Sequence, residues 1–239
     1  MGRRDLVTGG AGFIGSNFVR MVLEREPTAN VTNLDLLTYA GVRATVDELD
    51  GSDRHAFVQG DIRDAELVDS LVPGHDVVVN FAAESHVDRS IEGPSVFLDT
   101  NVVGTGVLVD AARRHNVGRY IQVSTDEVYG SIAEGFADET ARLLPSSPYS
   151  ASKAGADLLV ESYRVTFDYP AIITRCTNNY GPYQFPEKMI PLFVTNLTDG
   201  KKVPLYGDGL NERDWLFVTD HCSAIHMLVD EGEPGEVYN

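Results

Sequence analysis

The chain reads as an α/β protein built on a doubly wound parallel sheet, followed by a smaller C-terminal lobe. Three features predict it. Short β-rich runs alternate with longer helical runs, the pattern of parallel βαβ units. The first run ends in Gly9-Gly10-Ala11-Gly12-Phe13-Ile14-Gly15, a glycine turn that opens a helix. The second run ends in an acid, Asp35, twenty residues beyond Gly15.

In chain order, residues 4–8 are predicted as a strand, 13–26 as a helix and 31–34 as a second strand. Strand 55–58 precedes helix 65–71, and 76–81 holds Val77-Val78-Val79, the mark of a strand buried on both faces. Residues 94–115 read as one long helix, with Pro94 tolerated in its first turn. Strand 119–124, helix 150–167 and strand 171–174 complete the series. After Arg175 the character changes: Asn178-Asn179-Tyr180-Gly181-Pro182-Tyr183 is loop chemistry. Only short elements follow, a helix at 189–198, a strand at 203–205, a helix at 220–230 and an abrupt strand within 235–239. The expected division is a sheet domain, 1–175, and a small lobe, 176–239, lying over the carboxyl ends of the strands and reading as incomplete.

With 43% apolar residues the chain can bury a full core. No apolar run is long enough to cross a bilayer, and no signal-peptide core fits the N-terminus, so the expected compartment is the cytoplasm with no membrane partner. Cys176 and Cys222 form no CxxC or Cys/His pattern; they read as reduced thiols in or near the core, with no metal site. The formal net charge is −17, from 36 Asp and Glu against 19 Lys and Arg, of which only four are lysines. That field repels nucleic acid, and a site for an anionic ligand must gather its own cations and N–H groups. A lysine-poor acidic surface fits work in high salt, where carboxylate repulsion is screened, or simply an acidic cytosolic protein. Stability that falls as salt is withdrawn marks the first.

The glycine turn has a ligand chemistry. Gly9 permits the tight turn, Gly12 lets backbone approach a pyrophosphate, and Gly15 lets helix and strand pack closely. The helix N-terminus then offers free N–H groups and a positive dipole end. Asp35 suits ribose hydroxyls and repels a 2′-phosphate, which favours NAD over NADP. Asp61-Ile62, after the third strand, is placed to meet an adenine ring, although an Asp there also suits a helix cap.

Tyr149-Ser150-Ala151-Ser152-Lys153 puts a tyrosine and a lysine on one helix face. An ammonium beside a phenol favours phenolate, which can take a proton from a substrate hydroxyl while hydride leaves the same carbon. Lys153 also has the reach to bond a nicotinamide ribose. Together these motifs resemble the extended short-chain dehydrogenase/reductase family, from residue 5 to residue 239. The resemblance implies a Rossmann domain that holds NAD with Phe13, Ile14, Leu36, Thr38, Phe81, Ala82, Ala83, Ser85, Thr100 and Asn179 besides the residues above. Asn101, beside Thr100, reads equally as a helix-packing residue.

Within that family Ser124-Thr125-Asp126-Glu127-Val128-Tyr129-Gly130 is similar to the dTDP-glucose 4,6-dehydratases. Two adjacent carboxyls beside a hydride site are costly to bury unless they work. The resemblance implies Tyr149 as base at C4, Glu127 as base at C5, Asp126 as acid at C6 and Thr125 at the C4 oxygen. Asp126 is then expected protonated and Glu127 ionised. It further implies a nucleoside-diphosphate hexose, dTDP-glucose first, held by Ser85, His86, Asn178, Glu187, Lys188, Pro204, Tyr206, Asn211 and Arg213. His86 is given no catalytic role, and Trp215 is expected in the core. Val42 departs from the family, where Asn is usual, and members continue past Asn239. A homodimer is implied, through helices 94–115 and 150–167. The alternatives are a 4-epimerase, which needs no Asp-Glu pair, and a truncated NAD-binding protein without turnover.

Overall fold

The structure is a computed structural model that describes residues 2–205 and 207–239. Seven parallel strands form its main sheet: β1 (Arg4–Thr8), β2 (Asn30–Asp35), β3 (His55–Gln59), β4 (Val77–Asn80), β5 (Arg119–Thr125), β6 (Ala171–Cys176) and β9 (Val237–Tyr238), in the spatial order β3-β2-β1-β4-β5-β6-β9. The order reverses between β1 and β4, and ligands of such sheets bind in the crevice outside the carboxyl ends at that point. Residues alternate between the faces of each strand. Val7, Val79, Ile121 and Ile172 therefore pack on one side with α1 (Phe13–Arg25) and α9 (Val218–Glu231). Leu6, Val78, Tyr120 and Ile173 pack on the other with α3 (Ala65–Leu71), α6 (Thr105–Arg114) and α7 (Pro148–Phe167). Both faces of β4 are fully buried, as its valine run requires.

Short helices α2 (Ala44–Asp47) and α4 (Val87–Glu92) lie in connections that carried no strong periodicity. The helix expected at 94–115 is interrupted: α5 (Pro94–Phe97) runs into a π-helical stretch, Leu98–Gly104, before α6. Widened turns of this kind are frequent at functional sites. This one carries Thr100 to the crevice and places Gly104 so close to Ile62 that an added Cβ would sit 2.6 Å from its Cδ1.

Beyond β6 the chain adds β7 (Asn178–Tyr180), α8 (Met189–Thr198) and β8 (Trp215–Phe217), with β7 and β8 paired in parallel. The segment read as loop at 178–180 is thus a strand. The strand expected at 203–205 does not form. Pro204 has no N–H to give a ladder, and the partner position beside β7 is taken by Trp215–Phe217. Residues 218–239 return to the main layer, α9 against α1 and β9 beside β6. No helix among the described residues is long and apolar enough to cross a membrane.

Candidate active site

The crevice at the strand ends is a cleft of about 650 Å³. One wall is the glycine turn. Gly9 takes φ +71°, and a Cβ on it would lie 2.6 Å from Ala82 N; a Cβ on Gly15 would lie 2.3 Å from Gly9 O. Bare backbone is therefore required there. The first turn of α1 holds no acidic residue and Gly12 caps it without a side chain, so its N–H groups stay available to an anion. Asp35 is buried and accepts from Ala11 N at 2.9 Å and Leu37 N at 2.8 Å. Burial raises its carboxyl above the usual range, against those two bonds. This cradle fits a dinucleotide: backbone donors for a pyrophosphate, and a carboxylate held at the end of β2 for ribose. Asp61 lines the cleft and pairs with Arg63 at 2.6 Å, while the cap of α3 falls to Asp64. Asn101 takes a structural part, bonding Glu84 N at 2.8 Å, Glu84 O at 3.0 Å and Ser152 Oγ at 2.8 Å.

The opposite wall carries the reacting groups. A capping box of Ser147 and Ser150 starts α7 and fixes the turn from which Tyr149 and Lys153 reach the cleft. Thr125 ends β5 and caps a 3₁₀ turn, Asp126–Tyr129, by accepting from Glu127 N at 3.3 Å. Its hydroxyl also donates to Asp126 Oδ1 at 3.3 Å. Burial raises the Asp126 carboxyl, against hydrogen bonds from Thr177 and Thr125. Burial and then the Asp126 charge raise Glu127, against Lys188 and Arg213. Two carboxyls pushed up in one turn favour a shared proton.

Behind them, Arg175 pairs with buried Asp157 at 2.9 Å and donates to Tyr129 OH at 2.8 Å. The Lys153 ammonium donates to Val123 O at 2.6 Å; burial lowers its pKa, and the Asp157 charge opposes that. One expectation is corrected here. The Tyr149 phenol is raised, not lowered, because burial and the neighbouring Glu127 carboxyl outweigh any effect of Lys153.

Every residue expected around the cofactor lines the cleft: Gly9, Gly12, Phe13, Ile14, Gly15, Asp35, Leu36, Thr38, Asp61, Ile62, Phe81, Ala82, Ala83, Ser85, Thr100, Tyr149, Lys153 and Asn179. So do Thr125, Asp126 and Glu127. Of the substrate set, Ser85, His86, Asn178, Glu187, Lys188 and Pro204 join them, with Lys188 Nζ donating to Ser85 O at 3.2 Å. Asn211 and Arg213 do not. Both sit exposed, and Arg213 spends a donor on Glu212 O at 2.7 Å, although its charge still reaches Glu127. Tyr206 lies outside the described residues. Trp215 is 38% exposed and lines the cleft; among the described residues β8 has a strand partner, β7, on one side only.

Cys222 is buried as expected, but Cys176 lines the cleft, its thiol pushed up to about 12 by burial and Asp126. Thr177, Tyr39 and Phe185 also line it, residues to which the sequence motifs assign no role. Threonine and aromatic residues in loops carry no motif, and only the aromatics near Asp35 and Glu187 offered a hint.

The family model described as GDP-mannose 4,6 dehydratase matches residues 6–239. The chain belongs to that family. Among its relatives is a dTDP-glucose 4,6-dehydratase of Streptomyces antibioticus, 58% identical over 98% of this chain and 70% of the relative. The low-salt glycan biosynthesis protein Agl12 of Haloferax volcanii is 56% identical over 98% of this chain and 75% of its own. DesIV, the dTDP-glucose 4,6-dehydratase of Streptomyces venezuelae solved with NAD and TYD bound, superposes with a TM-score of 0.96 at 56% identity. That likeness covers 98% of this chain and 74% of DesIV. Family membership accounts for the shared fold.

Proposed function

We propose that the chain is an NAD-dependent dTDP-glucose 4,6-dehydratase, a hydro-lyase of the cytoplasm. The observation that carries the reading is the Asp126-Glu127 turn at the end of β5, in one cleft with Tyr149, Lys153 and a dinucleotide cradle. A 4-epimerase has no water to remove and no use for that pair.

The cradle residues and Asp35 hold the coenzyme, and Ser85, His86, Asn178, Glu187, Lys188 and Pro204 hold the sugar nucleotide. The part of the 176–239 lobe that serves the substrate is then the stretch from Asn178 to Trp215. NAD, when bound, supplies the hydride acceptor for C4 and the hydride donor for C6. Tyr149 takes the C4 hydroxyl proton while Thr125 holds that oxygen. The C4 ketone acidifies C5–H, and Glu127 removes that proton. Lys188 and Arg213 draw Glu127 toward its ionised form, against the burial and the Asp126 charge that raise it; in this reading the proton shared by the pair sits on Asp126 when the C6 hydroxyl departs. Asp126 delivers it to the departing C6 hydroxyl, which leaves as water. Glu127 returns its proton to C5, which completes the 4-keto-6-deoxy sugar and restores the carboxylate.

The test is incubation with dTDP-glucose and NAD in high salt, following the alkaline absorbance of a 4-keto product, with UDP-glucose in parallel. Product from dTDP-glucose is the expected result. NAD binding without product from either sugar sinks the reading.

We further propose a homodimer through the 94–114 region and α7. Leu98, Val103, Leu158 and Val165 are each at least half exposed there, an apolar surface more costly to leave wet than to pair. Sedimentation should give twice the chain mass of 26.1 kDa, and Leu158→Glu should shift it toward the single chain.

A further inference from the structure

Three segments distant in sequence meet over the cleft. Tyr39 comes from the loop that Asp35 begins, Arg89 from α4, and Phe185 and Glu187 from the turn before α8. The Arg89 guanidinium lies 3.6 Å from the centroid of the Tyr39 ring. Its Nη2 lies 3.2 Å from Glu187 Oε2, nearer than His86 Nε2 at 3.9 Å. The Tyr39 ring also meets Phe185 edge-on, centroids 5.8 Å apart. Tyr39, Phe185 and Glu187 line the cleft, whereas the half-exposed Arg89 sits outside it. Burial and Glu187 push the Tyr39 phenol up to about 12, so it stays neutral beside that carboxylate. The contact thus runs from the side that holds Asp35 to the side that holds Lys188.

We propose that Arg89 is a positioning residue that joins Tyr39 to Glu187 and so retains the bound dinucleotide between turnovers. The inference rests on the dehydratase reading. In that chemistry the coenzyme that takes hydride from C4 must give it back at C6, and a reduced coenzyme that escapes strands the ketone. Retention is therefore worth building. A flat guanidinium on an aromatic face and a half-exposed ion pair are each modest, and together slow release by roughly tenfold.

The experiment loads the whole chain with labelled NAD, removes the free label and dilutes into excess unlabelled NAD. Release is followed by filtration. Arg89→Ala should release about ten times faster at an unchanged melting temperature. Arg89→Lys should fall between, since it keeps the charge and loses the planar face. Tyr39→Ala should match Arg89→Ala, and the double variant should be no faster than either, the mark of one shared contact. Equal release from Arg89→Ala and the unaltered chain overturns the proposal. So does an unaltered chain that makes the 4-keto product yet loses its label at once. Both results leave the dehydratase reading standing, because product formation is measured separately.

Discussion

Glu127→Gln is expected to lower kcat about a thousandfold, in the range that loss of a positioned general base costs. The amide matches the carboxylate in shape, so the 3₁₀ turn capped by Thr125 keeps its form. What goes is the acceptor for the C5 proton. Oxidation at C4 does not use Glu127, so the near-ultraviolet absorbance of NADH should still appear when dTDP-glucose is added, and should then persist. Absence of both NADH and product would assign Glu127 to binding instead. The pH profile carries a further sign. The Glu127 carboxyl is held above its ordinary range by burial and by Asp126. Its ionised form is therefore lost as pH falls through that raised value. The acid limb of kcat/KM for the unaltered chain should lie above the pH of an ordinary glutamate.

Tyr149→Phe should be the more complete block, costing about a thousandfold or more with no NADH formed. The ring is buried and meets Phe97 in a tilted edge contact, centroids 6.4 Å apart. Phenylalanine preserves that packing, and melting should change little. The missing oxygen removes the acceptor for the C4 hydroxyl proton, and hydride cannot leave a carbon whose oxygen keeps its proton. Since burial and Glu127 raise the phenol, its basic form gains as pH rises, and kcat/KM should climb on the alkaline side. A Tyr149→Phe chain that still reduces NAD at the unaltered rate would move the C4 base elsewhere. Together the two variants separate the steps: one halts after C4 oxidation, the other before it.

Much of this was legible in the residues. The alternation of runs placed six of the seven main strands within a residue or two, because valine-rich strands and apolar-periodic helices state their burial locally. The glycine turn, Asp35 and the Tyr149/Lys153 spacing placed the cleft for the same reason: each is a short-range pattern with one geometric meaning. What escaped depends on neighbours distant in sequence. Trp215 reads as core until β8 proves, among the described residues, to be an edge strand paired with β7 alone. Within the interruption at Leu98–Gly104, Asn101 meets Glu84 and Ser152, contacts that no helical period encodes. The sign of the Tyr149 shift depends on how deeply the ring is buried and on a carboxyl 22 positions earlier in the chain. Arg213 matched a motif, yet its side chain turned to its own neighbour's carbonyl.

The seam between α1 and α9 has a consequence for how the protein is made. Phe18, Val19 and Val22 of α1 are fully buried in the cluster that includes Val218, Cys222 and Ile225 of α9. The Cys222 thiol even donates to Ile14 O, at 3.6 Å. On the ribosome roughly 190 residues separate the end of α1 from the start of α9. At roughly 5–20 residues per second, the apolar back of the first helix waits about 10–40 s for its cover. The glycine turn and α1 emerge early, and their apolar back is covered only once α9 has followed.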